Sequence, residues 1–202
     1  EELAALRQQA SEQRSTEGES RCPKHREILR KVQRRLHDAV ATMESSDDIK
    51  DVLSVLKEGL HELEISFQDC GINLVDPHQV PAVGSINSLG REGEWLPFQK
   101  MWGHDLVYQF WKAGVPVYRR DLQAEDLYDE RHYYPEHFGH SVRCVLDIPF
   151  AFGTLAVNSE KPDAFSQEDI SDLEHLTIVL EEGFRRGEDL QSLERRNREL
   201  DE

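Results

Sequence analysis

Apolar residues return every three or four positions in the first quarter of the chain. Ile28, Leu29, Val32, Leu36, Ala39, Val40 and Met43 form one stripe, which predicts an amphipathic helix with Arg and Lys on its polar face. Pro23 suits the first turn of that helix, after a break over residues 15–22. Residues 1–14 favour helix but have little apolar face. Ser45-Ser46-Asp47-Asp48 offers an N-cap, and Ile49, Val52, Leu53, Leu56 and Leu60 then share one face of a second helix.

The period changes after Glu64. Ile65, Phe67, Ile72 and Leu74 alternate with polar residues up to a turn at Asp76-Pro77, which predicts a strand, with its partner over 80–86. Gly84, Gly90 and Gly93 make the next stretch loop-like. A short helix is expected over 104–113, with Leu106, Val107, Phe110 and Trp111 apolar and Gly114 at C′, then a short strand over 115–118. Residues 121–140 are polar and acidic and read as a loop with a helical turn or two. A hairpin follows: strand 142–150, turn Ala151-Phe152-Gly153, return strand 154–158. Ser166 and Asp169 make a capping-box-like start to a last helix, which carries Ile170, Leu173, Leu176, Leu180 and Phe184 and runs to Leu200. Helices at both ends of an antiparallel sheet define an α+β chain.

Composition sharpens this picture. Of 202 residues, 38% are hydrophobic and 32% charged, which fits one compact core with exposed, charged helices. The net charge of -16 disfavours phosphate backbones and anionic membrane surfaces, so no nucleic-acid or membrane partner is expected for this segment. The basic run 26–35 is diluted by acidic neighbours and reads as a solvated helix face. Cys22, Cys70 and Cys144 are odd in number and widely spaced, which points to a reducing, cytoplasmic setting and not to a disulfide framework. No apolar run approaches the roughly 18 residues of a membrane span, and the start does not look like a signal peptide. Both ends lie in charged, helical sequence, as in a piece of a longer protein.

Candidate chemistry gathers in the middle third. Trp95, Trp102, Tyr108, Trp111, Tyr118, Tyr128, Tyr133 and Tyr134 lie between the first strands and the hairpin. Aromatic walls suit a planar ligand such as a purine, although Trp111 and Phe110, on a helix face, read more simply as core. Arg119 could grip a carboxylate or phosphate, with Asp121 beside it, or form a salt bridge to the acidic loop, the simpler reading. Asp147 interrupts an apolar strand, where it lines a pocket or faces water. His132, His137, His140 and Cys144 could hold a transition metal or haem iron, but their spacing matches no metal motif. No G-x-S-x-G, P-loop or H-E-x-x-H occurs, so the chain reads as a non-enzyme.

Three segments resemble GAF domains. Val145-Leu-Asp-Ile-Pro-Phe-Ala-Phe-Gly-Thr-Leu-Ala-Val-Asn158 is similar to their closing hairpin. Phe165-Ser-Gln-Glu-Asp169 resembles the opening of their last helix. Trp111-Lys-Ala-Gly-Val-Pro-Val-Tyr-Arg-Arg-Asp121 is similar to their short helix, strand and Asp. PAS domains share the general plan, but the long terminal helix favours GAF. The resemblance spans about 49–184 and implies a sensor module: a pocket on one face of the sheet under a roof of middle helices and loops. It also implies helices paired in a homodimer, relaying a signal to an output domain in the same chain or in a partner protein, such as a histidine kinase of a two-component system. The ligand-binding residues expected on this basis are Trp95, Trp102, Tyr108, Trp111, Tyr118, Arg119, Asp121, Tyr133, Tyr134, Cys144 and Asp147. Asn158, Phe165 and Asp169 fit the pattern of cyclic-nucleotide GAF domains, whereas Ser159 and Ile170 depart from its Lys and Glu. Cys144 lacks the neighbours expected for bilin attachment, and the cysteines are too scattered for the GAF-like methionine sulfoxide reductases.

The predicted division is a helical linker over 1–24, a GAF-like domain over 25–186 and a signalling helix over 187–202. Leu190, Leu193, Asn197 and Leu200 step as a short coiled-coil seam, with Gly183 and Gly187 at a change of register. The reading that results is a small-molecule sensor. The alternatives are a ligand-free GAF-fold dimerisation module and a redox or metal sensor using Cys144 and the nearby histidines.

Overall fold

The computed structural model describes residues 22–78, 83–88, 95, 99–100, 104–132, 134, 136 and 140–200. These residues form two units. One lies within Ser66–Leu173, and the other joins 22–65 to 174–200.

The first unit is built on a six-stranded antiparallel sheet. Its strands are β1 (Asp69–Val75), β2 (Val83–Ser88), β3 (Gln99–Lys100), β4 (Val117–Arg119), β5 (Cys144–Phe150) and β6 (Gly153–Ser159). Their order is β3-β2-β1-β6-β5-β4, so the closing hairpin β5–β6 docks beside the first strand. The register puts Val145 opposite Asn158 and Asn158 opposite Asp69. The next row on the same face is Asp147, Ala156, Gly71 and Asn87. Pro149, Thr154, Asn73 and Ser85 form the third. Side chains alternate along a strand, so this face is largely polar. The opposite face carries Ile72, Leu146, Ile148, Leu155 and Val157, each at most 1% exposed.

Three local devices hold this frame, and all were predicted. Gly114 closes the helix α1 (His104–Ala113) with φ 68°, and its N–H donates to the Trp111 carbonyl at 3.1 Å. Gly153 turns the hairpin, where a Cβ would stand 1.8 Å from the Asn73 carbonyl oxygen. At the start of the long helix α2 (Gln167–Leu200) the capping box is reciprocal. The Ser166 N–H donates to Asp169 Oδ2 at 2.8 Å, and the Asp169 N–H donates to Ser166 Oγ at 3.1 Å.

The second unit is helical. It holds Pro23–Ala41, a single 3-10 turn at Ser46–Asp48, Ile49–Glu62 and the later part of α2. Val32, Leu36 and Val40 are buried on the first helix, and Val52, Leu53, Leu56 and Leu60 on the second. Gly59 lets these two cross closely, because a Cβ there would lie 2.3 Å from Val32 Cγ1. Gly183 packs against Val40, Ile49 and Val52, so it serves close helix packing within an unbroken α2.

Several local expectations differ. Ile65 and Phe67 precede β1, which starts at Asp69, and β3 falls in a stretch read as loop-like. The Asp48 carboxylate caps nothing in the helix after it; it accepts from the Glu44 and Ser45 N–H groups at 2.8 Å each. Asp48 is itself in the helical region, at φ -68° and ψ -8°, so its side chain points back into the connection. The expected helix over residues 1–14 lies outside the described residues.

Candidate functional site

The polar face of the sheet is covered. α1 contacts β5, β2, β6 and β1, and between helix and sheet lies a cavity of about 330 Å³. Its apolar wall comes from Leu106, Val107 and Phe110 of α1 together with Tyr128. Its floor carries Asp69, Asn73, Ser85, Asn87, Asp147 and Asn158. Gly71 leaves room in that floor, since a Cβ there would meet Asn87 Oδ1 at 1.9 Å.

A buried ionic network organises one side. Arg119 Nη2 donates to Asp147 Oδ2 at 2.8 Å and to Glu130 Oε1 at 3.2 Å. Its Nε donates to Glu130 Oε2 at 3.0 Å and its Nη1 to the Val117 carbonyl at 2.9 Å. The guanidinium also lies 4.7 Å from the centre of the Phe110 ring. Burial works against the charge on Arg119, but Glu130 and Asp147 outweigh it and its pKa is raised. Thr154 Oγ1 donates to Asp147 Oδ1 at 2.7 Å, and Tyr134 Oη donates to Glu130 Oε1 at 3.3 Å. Burial pushes the Tyr134 phenol well above its ordinary range, so it stays neutral and can donate. Asp126 shapes the loop that delivers Glu130, because its Oδ1 accepts the Glu130 N–H at 2.7 Å. On the other side, His140 Nε2 lies 2.7 Å from Asp69 Oδ2.

Arg119, Tyr134 and Asp147, named from the sequence, line this cavity. The idea that Arg119 is free to grip an anionic ligand needs correction, because Glu130 and Asp147 already hold it. Trp95, Tyr108, Trp111, Tyr118, Asp121 and Cys144 are not on the wall. Tyr108 and Trp111 pack on each other at 5.6 Å, and Trp111 Nε1 donates to the Phe150 carbonyl at 3.0 Å. Tyr118 and Cys144 lie on the opposite face of their strands, one residue out of phase with Arg119 and Val145. The Tyr118 hydroxyl accepts the Phe165 N–H at 2.9 Å, and burial raises the Cys144 thiol. Trp102 and Tyr133 lie outside the described residues, as does His137. Among the described residues no three His, Cys, Asp or Glu side chains gather to hold a metal ion.

Asp121 serves its own loop. It accepts from Arg143 Nε at 2.8 Å and Nη2 at 2.5 Å, and from the Gln123 N–H at 3.0 Å. The Arg143 hydrogen bonds pull its pKa down to about 2. An acid whose pKa falls on folding stabilises the fold above its unfolded value of about 3.9. That contribution fades as pH drops through the folded value. Carboxyl NMR should therefore show Asp121 titrating near 2; a midpoint close to 4 would mean that the Arg143 pair does not form in solution.

The sequence singled out none of Asp69, Asn73, Ser85, Asn87 or Glu130, and Asn158 only through its fit to the cyclic-nucleotide pattern. A signal existed. Asp69, Asn73, Ser85, Asn87 and Asn158 are polar positions on otherwise apolar strands, and strand alternation places them on the face of Asp147.

No protein-family model and no curated protein matches the sequence. Solved structures do match the fold. The GAF domain of a phosphoenolpyruvate-protein phosphotransferase (ptsP) from Coxiella burnetii aligns over 81% of this chain and 96% of that one, with TM-score 0.56 and 16% identity. The free methionine-R-sulfoxide reductase from Neisseria meningitidis, solved in complex with its substrate, aligns over 85% of this chain and 96% of that one, with TM-score 0.52 and 22% identity. A bacteriophytochrome from the photosynthetic bacterium R. palustris aligns over 89% of this chain and 41% of that one, with TM-score 0.61 and 11% identity. The chain has a GAF-like fold, α+β, with an antiparallel sheet, flanking helices and a long C-terminal helix. No helix among the described residues is long and apolar enough to cross a membrane.

Proposed function

We propose that this chain is a small-molecule sensor module that relays ligand binding through its helices to an output domain. The observation that carries the reading is the cavity of about 330 Å³ on the polar face of the sheet. Its size falls at the small end of ligand pockets, roughly 300–1,000 Å³, and it combines an apolar wall with a few converging polar groups. Helix α2 runs unbroken from Gln167 to Leu200, so a displacement at its first turn passes along a continuous rod. Leu193 on that helix is 48% exposed, which leaves the seam of Leu190, Leu193 and Asn197 open to a second copy.

Native mass spectrometry of the full chain tests the binding step: a stoichiometric small molecule, lost on denaturation, supports the reading. Sedimentation velocity tests the relay. A clean monomer at tens of micromolar removes relay through paired helices.

One observation favours a second reading. One structural neighbour is a free methionine-R-sulfoxide reductase, and Cys70 borders the cavity on β1, although strand alternation puts its side chain on the face of Ile72 and Val157. Adding methionine sulfoxide to the reduced protein would then release methionine and consume thiols. If no methionine forms, the sensor reading stands alone.

A further inference from the structure

Resting on the sensor reading, we propose that the cavity takes a small organic cation: a protonated amine on a short apolar arm. Among the described residues the wall has four carboxylates, Asp69, Asp129, Glu130 and Asp147, against one guanidinium, Arg119. Even with the neighbouring His140 counted as protonated, the balance stays negative. Arg119 cannot turn to an incoming anion without leaving Glu130 and Asp147 buried and unpaired. Asp69, Asp147 and Glu130 are buried, so their charges act at lower effective dielectric than on the surface, which strengthens the preference.

The hydrogen-bonding groups agree with the charge. Asn73 is 4% exposed. Its Nδ2 faces Thr154 Oγ1 at 3.1 Å and the Asp147 carboxylate at 3.5 Å, which fixes the amide's orientation because a carboxylate only accepts. Its Oδ1 is thereby left as an acceptor, and no group among the described residues donates to it. An ammonium supplies that donor. Asn158, 6% exposed, accepts the Asp69 N–H at Oδ1 and keeps Nδ2 free among the described residues, ready for an oxygen on the ligand's arm. Val107, Phe110 and Tyr128 supply the apolar wall against which a short apolar arm packs. An organic cation fits better than a metal ion, because the described carboxylates do not converge as a ligand set.

Calorimetric titration of the full chain with matched trios tests the assignment. Phenethylamine, 2-phenylethanol and phenylacetate form one trio; isobutylamine, isobutanol and isobutyrate form the other. The amine of at least one frame should bind at least about tenfold tighter than its alcohol, a difference of about 1.4 kcal/mol, and the acid should not bind. Asp69→Asn should remove most of that margin, and an unchanged far-ultraviolet circular dichroism spectrum and melting curve would show that the variant is folded. Equal binding of amine and alcohol, or tighter binding of an acid or of a cyclic nucleotide, overturns the cation assignment and leaves the sensor reading standing. Silence from both trios, with nothing co-purifying in the mass spectrum, overturns both.

Discussion

Replacing Arg119 by methionine should lower stability by roughly 3–5 kcal/mol, the usual penalty for removing one partner from a buried ion pair. The Arg119 side chain is 4% exposed, and its partners Asp147 and Glu130 are 4% and 10% exposed. Methionine fills much of the volume, so the loss is mainly electrostatic. Asp147 and Glu130 would lose their cation and keep, among the described residues, Thr154, Asn73 and Tyr134 as side-chain donors. Arg119→Lys should fall between, because one ammonium cannot reproduce a fork that meets Glu130, Asp147 and the Val117 carbonyl together. Adding Asp147→Asn and Glu130→Gln to Arg119→Met should recover much of the loss, since neutral amides leave no buried charge. Denaturant unfolding followed by tryptophan fluorescence reads the effect, because Trp95, Trp102 and Trp111 all fall within Ser66–Leu173. A loss below about 1 kcal/mol for Arg119→Met would mean that water already screens the network.

Gly153→Ala is the second large effect, expected at about 3 kcal/mol or more. Two penalties act together. The residue sits at φ 154°, a conformation that side chains other than glycine's rarely adopt. Its new Cβ would stand 1.8 Å from the Asn73 carbonyl oxygen and 3.1 Å from the Leu74 Cα. Both obstacles are backbone, so no rotamer change can relieve the clash; β6 must move away from β1. Asn73 shapes the cavity floor, so ligand binding should weaken along with stability. Thermal melting of the variant checks the first effect. A melting temperature equal to that of the parent would show that the hairpin turn relaxes freely.

Much of the frame is legible because the signals are local. The stripe from Val32 to Val40 becomes the buried face of the helix Pro23–Ala41. Gly114, Gly153 and the Ser166–Asp169 pair take the roles that their residue types imply, since a C′ turn, a tight hairpin and a capping box each involve only a few neighbouring residues. Part of the site was legible by alternation as well. Tyr118 and Arg119 are adjacent in a strand and cannot both face one cavity, and the same parity separates Cys144 from Asp147.

The sequence alone thus determined most of the elements and their order, and the parity of β5, whereas β3 (Gln99–Lys100) and the start of β1 escaped it. It did not determine what lies over each face. Polar residues at alternate positions, such as Asp69 and Asn73, read as a water-facing surface, and they become a cavity floor only because α1 crosses above them. Likewise nothing local joins Arg119 to Glu130, 11 residues on, or to Asp147, 28 residues on. Those pairings exist because sheet register and a loop held by Asp126 bring distant charges into one buried place, where leaving any of them alone would be costly.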